Sequence, residues 1–190
     1  DINWDGVAEA ADSNWHEDAA AALGIVRSEE DPQRAADRLI TARKFLCKSQ
    51  AFAERMTTAG KNAWMYFFTR IREDQGGTEL RAFHGAEYAY SFGTHDTFMT
   101  TNATDLALTE VMQSYWVSFA ATGNPNSDKT TDWPRFAAPD LAVQELGDSV
   151  MTVSAPEPEL CALFDASLAA RTADDIVGRN KPDEVDNESP

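Results

Sequence analysis

The chain has 190 residues, 43% hydrophobic and 25% charged, a balance that supports one globular domain with its own core. Its 16 Lys and Arg against 32 Asp and Glu give a net charge of −16 and a pI near 4.4. That excess argues against a nucleic-acid partner and against docking on anionic lipid, both of which need clustered basic residues. No apolar run approaches the roughly 20 residues needed to span a bilayer.

Residues 1–24 read as irregular and then partly helical, with an alanine patch at Ala19 to Ala22 and a stop at Gly24. The opening Asp1-Ile2-Asn3 suits a processed or internally cut chain. Asp31-Pro32 is a helix start, because Asp can cap free amides and Pro costs little at the first helical position. Ala35, Ala36, Leu39 and Ile40 follow at helical spacing; the register shifts near Phe45, and the helix ends at Gly60.

Ala63 to Ile71 is short, aromatic and apolar on both faces, which predicts a buried strand of a parallel sheet. A flexible loop around Gly76-Gly77 is expected next, then the segment Phe83-His84-Gly85-Ala86-Glu87. Leu108, Val111, Met112, Tyr115, Trp116 and Phe119 form one stripe on a helix over 104–122, with Thr104 as its expected cap and Gly123 and Pro125 as its stop. Trp133-Pro134 reads as loop. Two short strands, Leu141 to Leu146 and Ser149 to Val153, flank a Gly147-Asp148 turn. A last helix begins near Pro156-Glu157, and the chain from Thr172 reads as an acidic, disordered tail. The expected organisation is therefore one segment, 1–171, and a tail, 172–190.

The chemistry rests on few residues. His84 follows a strand-like run on a glycine-containing loop, a place that suits either a structural histidine or a general base. No second histidine stands at metal-ligand spacing, so no metal is expected. No Gly-x-Ser-x-Gly elbow occurs; Ser149, after Gly147-Asp148, lacks the second glycine and reads as a turn residue. Cys47 and Cys161 are too far apart for a Cys-x-x-Cys motif. Asn102-Ala103-Thr104 and Asn187-Glu188-Ser189 match the glycosylation triplet.

Taken in order, His84-Gly85-Ala86-Glu87, Tyr90-Ser91-Phe92-Gly93, Tyr115-Trp116-Val117-Ser118-Phe119-Ala120, Thr122-Gly123-Asn124-Pro125-Asn126 and Trp133-Pro134 resemble the C-terminal third of type-B carboxylesterases, the cholinesterase-like family. The likeness runs from about Asp31 to Phe164. It implies an α/β fold, specifically the C-terminal part of an α/β-hydrolase, incomplete without an N-terminal companion segment. It implies that His84 is the triad base, that Glu87 supports its loop, and that Phe83, Ala86 and Phe98 line the pocket from this side. It pairs Cys47 with Cys161 in a disulfide, and so implies a secreted or otherwise oxidising location. No cofactor is implied. The serine, the acid and the oxyanion donors would come from an N-terminal companion chain, and the substrate would be a small carboxylic ester. A non-catalytic adhesion or recognition domain of the same fold is the alternative.

Overall fold

The computed structural model describes residues 2–95 and 100–179. The chain forms two compact units: one takes the chain up to Ala51 and from Glu157 onward, the other Phe52–Pro156.

The first unit is helical. Helix α1 (Trp4–Trp15) begins where Asn3 Oδ1 accepts the Gly6 N–H at 3.0 Å, and buries Val7, Ala11 and Trp15, spaced four apart on one face. Residues 4–15 are thus regular helix, within the stretch that reads as irregular and then partly helical. A 3-10 turn (His16–Asp18) leads into α2 (Ala19–Val26). Helix α3 (Pro32–Thr41) starts as anticipated: Asp31 Oδ1 accepts the Gln33 N–H at 3.0 Å, and Pro32 takes the first position. Its buried Ala35, Ala36 and Leu39 face α1, and the Trp15 indole N–H donates to the Leu39 carbonyl at 3.1 Å.

A π turn, Ala42–Leu46, connects α3 to α4 (Cys47–Thr58). It is the physical form of the register shift seen near Phe45, since one widened turn rotates the apolar stripe. Arg43, on that turn, lies over the rings of Trp15 and Phe164, at 5.6 and 5.0 Å, and donates to the Asn14 carbonyl. The last helix, α8 (Pro158–Arg179), is tied to α4 by the Cys47–Cys161 disulfide, as the resemblance implied. Just before it, Glu157 accepts two bonds from Arg38, at 2.7 and 2.9 Å. Because α8 runs to Arg179, residues 172–179 are helical where a tail was expected; the remainder lies outside the described residues.

The second unit is built on a three-stranded sheet. Strand β1 (Tyr66–Phe68) pairs parallel with β2 (Ala142–Leu146), which pairs antiparallel with β3 (Val150–Ser154). The β2–β3 hairpin matches the sequence reading. β1 is shorter than the 63–71 run and half-buried, with Tyr66 37% exposed, rather than fully covered. Helix α5 (Gln75–Leu80) replaces the flexible loop expected at Gly76-Gly77: Asp74 Oδ1 accepts the Gly77 N–H at 2.7 Å and caps it. Gly77 has no room for a side chain, since a Cβ there would sit 2.3 Å from the Arg72 carbonyl oxygen.

A short helix α6 (Tyr88–Phe92) and the long α7 (Ala103–Thr122) complete the unit. The cap of α7 is Asn102, two residues before the expected Thr104, in a reciprocal capping box with Asp105. Leu108, Met112 and Tyr115 are buried and Val111 and Trp116 partly so, but Phe119, at the end of the stripe, is 50% exposed. Tyr90, Leu108, Met112, Tyr115, Trp133 and Leu146 form the core cluster. The Asn124-Pro125-Asn126 turn has a job within it. The Asn126 side chain brackets the Trp133 backbone, accepting its N–H at 2.7 Å and donating to its carbonyl at 2.9 Å. Trp133 is thereby buried, its indole N–H on the Met65 carbonyl at 3.1 Å.

Candidate active site

His84 stands on an exposed turn between α5 and α6. Two backbone bonds shape the turn: Ala86 N–H to the Phe83 carbonyl at 2.9 Å, and Tyr88 N–H to the Gly85 carbonyl at 3.1 Å. Gly85 has φ +92°, a conformation that penalises a Cβ, so the glycine beside the histidine is set by the backbone. The Glu87 carbonyl then accepts the N–H groups of Tyr90 (3.1 Å) and Ser91 (2.8 Å) and opens α6. Phe83 is 40% exposed beside His84, and Ala86 and Glu87 are half-buried. The Tyr66 phenol is pushed up by burial and, less, by the negative charge of Glu87. Phe98 lies outside the described residues. Ser149 sits exposed in the turn between β2 and β3.

Behind the turn lies a buried polar cluster with no forerunner in the sequence reading. Arg70, two residues past β1, is 1% exposed at its side chain, and its Nε donates to Asp105 Oδ1 at 2.8 Å. Its other nitrogens reach the Ile71 carbonyl, Asp148, Glu73 and, at 3.4 Å, Asn102. Asp105 also accepts the Tyr90 hydroxyl at 2.6 Å on Oδ1 and the Asn102 N–H at 2.9 Å on Oδ2. The Tyr90 oxygen in turn accepts Arg72 Nε at 3.2 Å.

The cluster extends to His95, whose ring meets Tyr90 edge-on with centroids 5.1 Å apart. Arg72 can only donate, so its 3.1 Å contact makes His95 Nδ1 the acceptor and leaves Nε2–H to donate to Thr109 Oγ1 at 2.7 Å. The Thr109 hydroxyl donates onward to the Asp105 carbonyl at 2.8 Å.

The charges follow from these partners. For Asp105, burial opposes ionisation, but the bonds from Arg70 and Tyr90 outweigh it and hold the carboxyl below the usual range. For Arg70 burial likewise opposes the charge, and bonds to Glu73, Asp105 and Asp148 push its pKa up. The Tyr90 phenol is pushed up to about 12 by burial and by its bond to Asp105. Among the described residues no three His, Cys, Asp or Glu side chains converge on a metal position.

The sequence model of the Carboxylesterase family matches residues 15–162, which includes the histidine turn, the capped helix and both cysteines. Among curated proteins, the chain is similar to carboxylesterase 4A of Bos taurus, 40% identical over 53 residues that cover 28% of this chain and 10% of that one. It is similar to a medium-chain fatty acyl-CoA hydrolase precursor of Anas platyrhynchos, at 29% over 97 residues covering 48% and 17%. It is also similar to acetylcholinesterase 1 of Caenorhabditis elegans, 29% identical over 132 residues, covering 60% of this chain and 21% of that one. The chain thus spans about a fifth or less of the length of these relatives. A solved PNB esterase superposes with TM-score 0.67 at 21% identity, covering 85% of this chain and 33% of that structure. That likeness gives the fold: the sheet and helices are part of an α/β-hydrolase. With the family match spanning most of the chain, through both cysteines and the histidine turn, the chain belongs to the carboxylesterase family, type B.

Proposed function

We propose that the chain supplies the general base of a serine carboxylesterase. His84 takes the proton from a serine hydroxyl as that oxygen attacks the ester carbonyl, then hands it to the departing alcohol; water repeats the cycle on the acyl-serine. The serine, the acid that fixes the His84 tautomer, and the oxyanion donors come from an N-terminal companion chain of the same enzyme. Glu87 supports the loop, and Phe83 and Ala86 line the ester pocket. The disulfide supports an oxidising, secretory location.

The observation that carries this reading is that His84 is exposed on the turn His84-Gly85-Ala86-Glu87 inside the family-matched region, at the surface where a reacting group could reach it. Labelling the native protein with a serine-reactive fluorophosphonate and resolving it on a reducing gel tests it. Label on a separate companion band, and none on this chain, is the expected result. A companion that stays unlabelled while a control esterase reacts would favour the recognition-domain alternative.

A further inference from the structure

We infer that Tyr90 is a positioning residue for His84, and that Asp105 and Arg70 act through it; this rests on the reading of His84 as the general base.

His84 is exposed on a four-residue turn closed by two backbone bonds, and such a turn by itself does not hold an imidazole to the fraction of an ångström that proton transfer requires. Its fixed end is α6, five residues long, whose buried residue is Tyr90. A helix so short has little stability of its own, so its place is set by that side chain. Tyr90 is held at both ends. Its ring packs against Phe68 of β1 with centroids 5.2 Å apart, and its hydroxyl sits between Asp105 Oδ1 at 2.6 Å and Arg72 Nε at 3.2 Å.

Asp105 is fixed in its own right. It is fully buried, part of the α7 capping box, and bonded to Arg70, which leads directly out of β1. A chain of charge-assisted bonds therefore runs from the sheet, through Arg70 and Asp105, to Tyr90 and the helix that begins at the end of the histidine turn. Charge-assisted bonds in a buried site are the stiff kind. The cluster thus references the histidine turn to the strand and helix that carry the fold. A second tie is independent of it: the Trp116 indole N–H donates to Ser91 Oγ at 3.2 Å.

The test uses the protein together with its companion chain and compares Tyr90→Phe, His84→Ala and a stability control, Val143→Ala. Tyr90→Phe keeps the ring and removes the hydroxyl. Val143 is fully buried in β2 and has no bond to the cluster, so its variant loses stability without loosening the turn. With a simple ester well below the melting temperature, Tyr90→Phe is expected to lower kcat about three- to tenfold with KM unchanged. The rate of fluorophosphonate labelling should fall in parallel, while Val143→Ala keeps the wild-type kcat. Wild-type kcat in Tyr90→Phe, or an equal loss in Val143→Ala, overturns the positioning role and leaves the base reading intact if His84→Ala is inactive. An active His84→Ala overturns both.

Discussion

Arg70 and Asp105, thirty-five residues apart in the chain, meet as an ion pair of 2.8 Å whose side chains are 1% and 0% exposed. Taking both charges out of water is costly, and the pair persists because other partners satisfy the remaining valences: Tyr90 and Asn102 on the carboxylate, Ile71, Glu73 and Asp148 on the guanidinium. Removing one member leaves the other buried and unbalanced. Asp105→Ala should therefore destabilise the protein by about 3–5 kcal/mol, read from its denaturant midpoint. A loss no larger than that of an exposed surface substitution would contradict the cluster.

Asn102 forms the other half of the α7 cap. Its Oδ1 accepts the Asp105 N–H at 3.1 Å, and its Nδ2 donates to Glu73 at 2.6 Å. The glycosylation triplet Asn102-Ala103-Thr104 therefore coincides with a side chain already employed in the fold. Asn102→Ala should cost about 1 kcal/mol in chemical denaturation, a capping loss. An unchanged midpoint would show that the cap contributes nothing.

Alkaline pH offers a separate check. The phenols of Tyr90 and Tyr115 are both pushed up to about 12; burial leads in each, followed by the bond to Asp105 for Tyr90 and the charge of Asp132 for Tyr115. An unfolded tyrosine titrates near ~10, so between those values the folded state holds more protons than the unfolded one. The stability these two groups contribute is full below about 10 and falls as pH rises toward about 12. Tyrosinate absorbance should show a late-titrating fraction in the native protein that Tyr90→Phe reduces. Titration of every tyrosine in one early step would refute the assignment.

The Cys47–Cys161 bond closes a sequence separation of 114 residues. By loop entropy, replacing both cysteines with serine should lower stability by about 4–5 kcal/mol, less any relief of native strain. The comparison is the denaturant midpoint of the double variant against the oxidised protein. Equal midpoints would mean that the bond does not stabilise the fold.

How legible was this in the sequence? Local signals survived well: Asp31-Pro32 starts α3, the apolar run around Gly147-Asp148 makes the hairpin, and the register shift near Phe45 became a π turn. Each is decided by residues within one or two turns. Helix α1 is faint in the sequence although Val7, Ala11 and Trp15 stand four apart, because the two intervals between them, Ala8-Glu9-Ala10 and Asp12-Ser13-Asn14, add no large apolar residue and the stripe is thin. Asn102 and Thr104 can both cap by residue type; the choice depends on Asp105 reaching back to the Asn102 N–H. The histidine turn was visible through its family-like motifs. The cluster behind it was not, because nothing local in Arg70 or Tyr90 announces a partner on α7; that pairing exists only once the chain has folded.

The proposed role of His84 in moving the proton is tested most directly by His84→Ala in the protein assembled with the proposed companion chain. Steady-state hydrolysis of a small carboxylic ester should fall about 10²- to 10⁴-fold in kcat, with KM little changed, because a general base contributes in that range. Hydrolysis by His84→Ala at the wild-type rate would contradict the account.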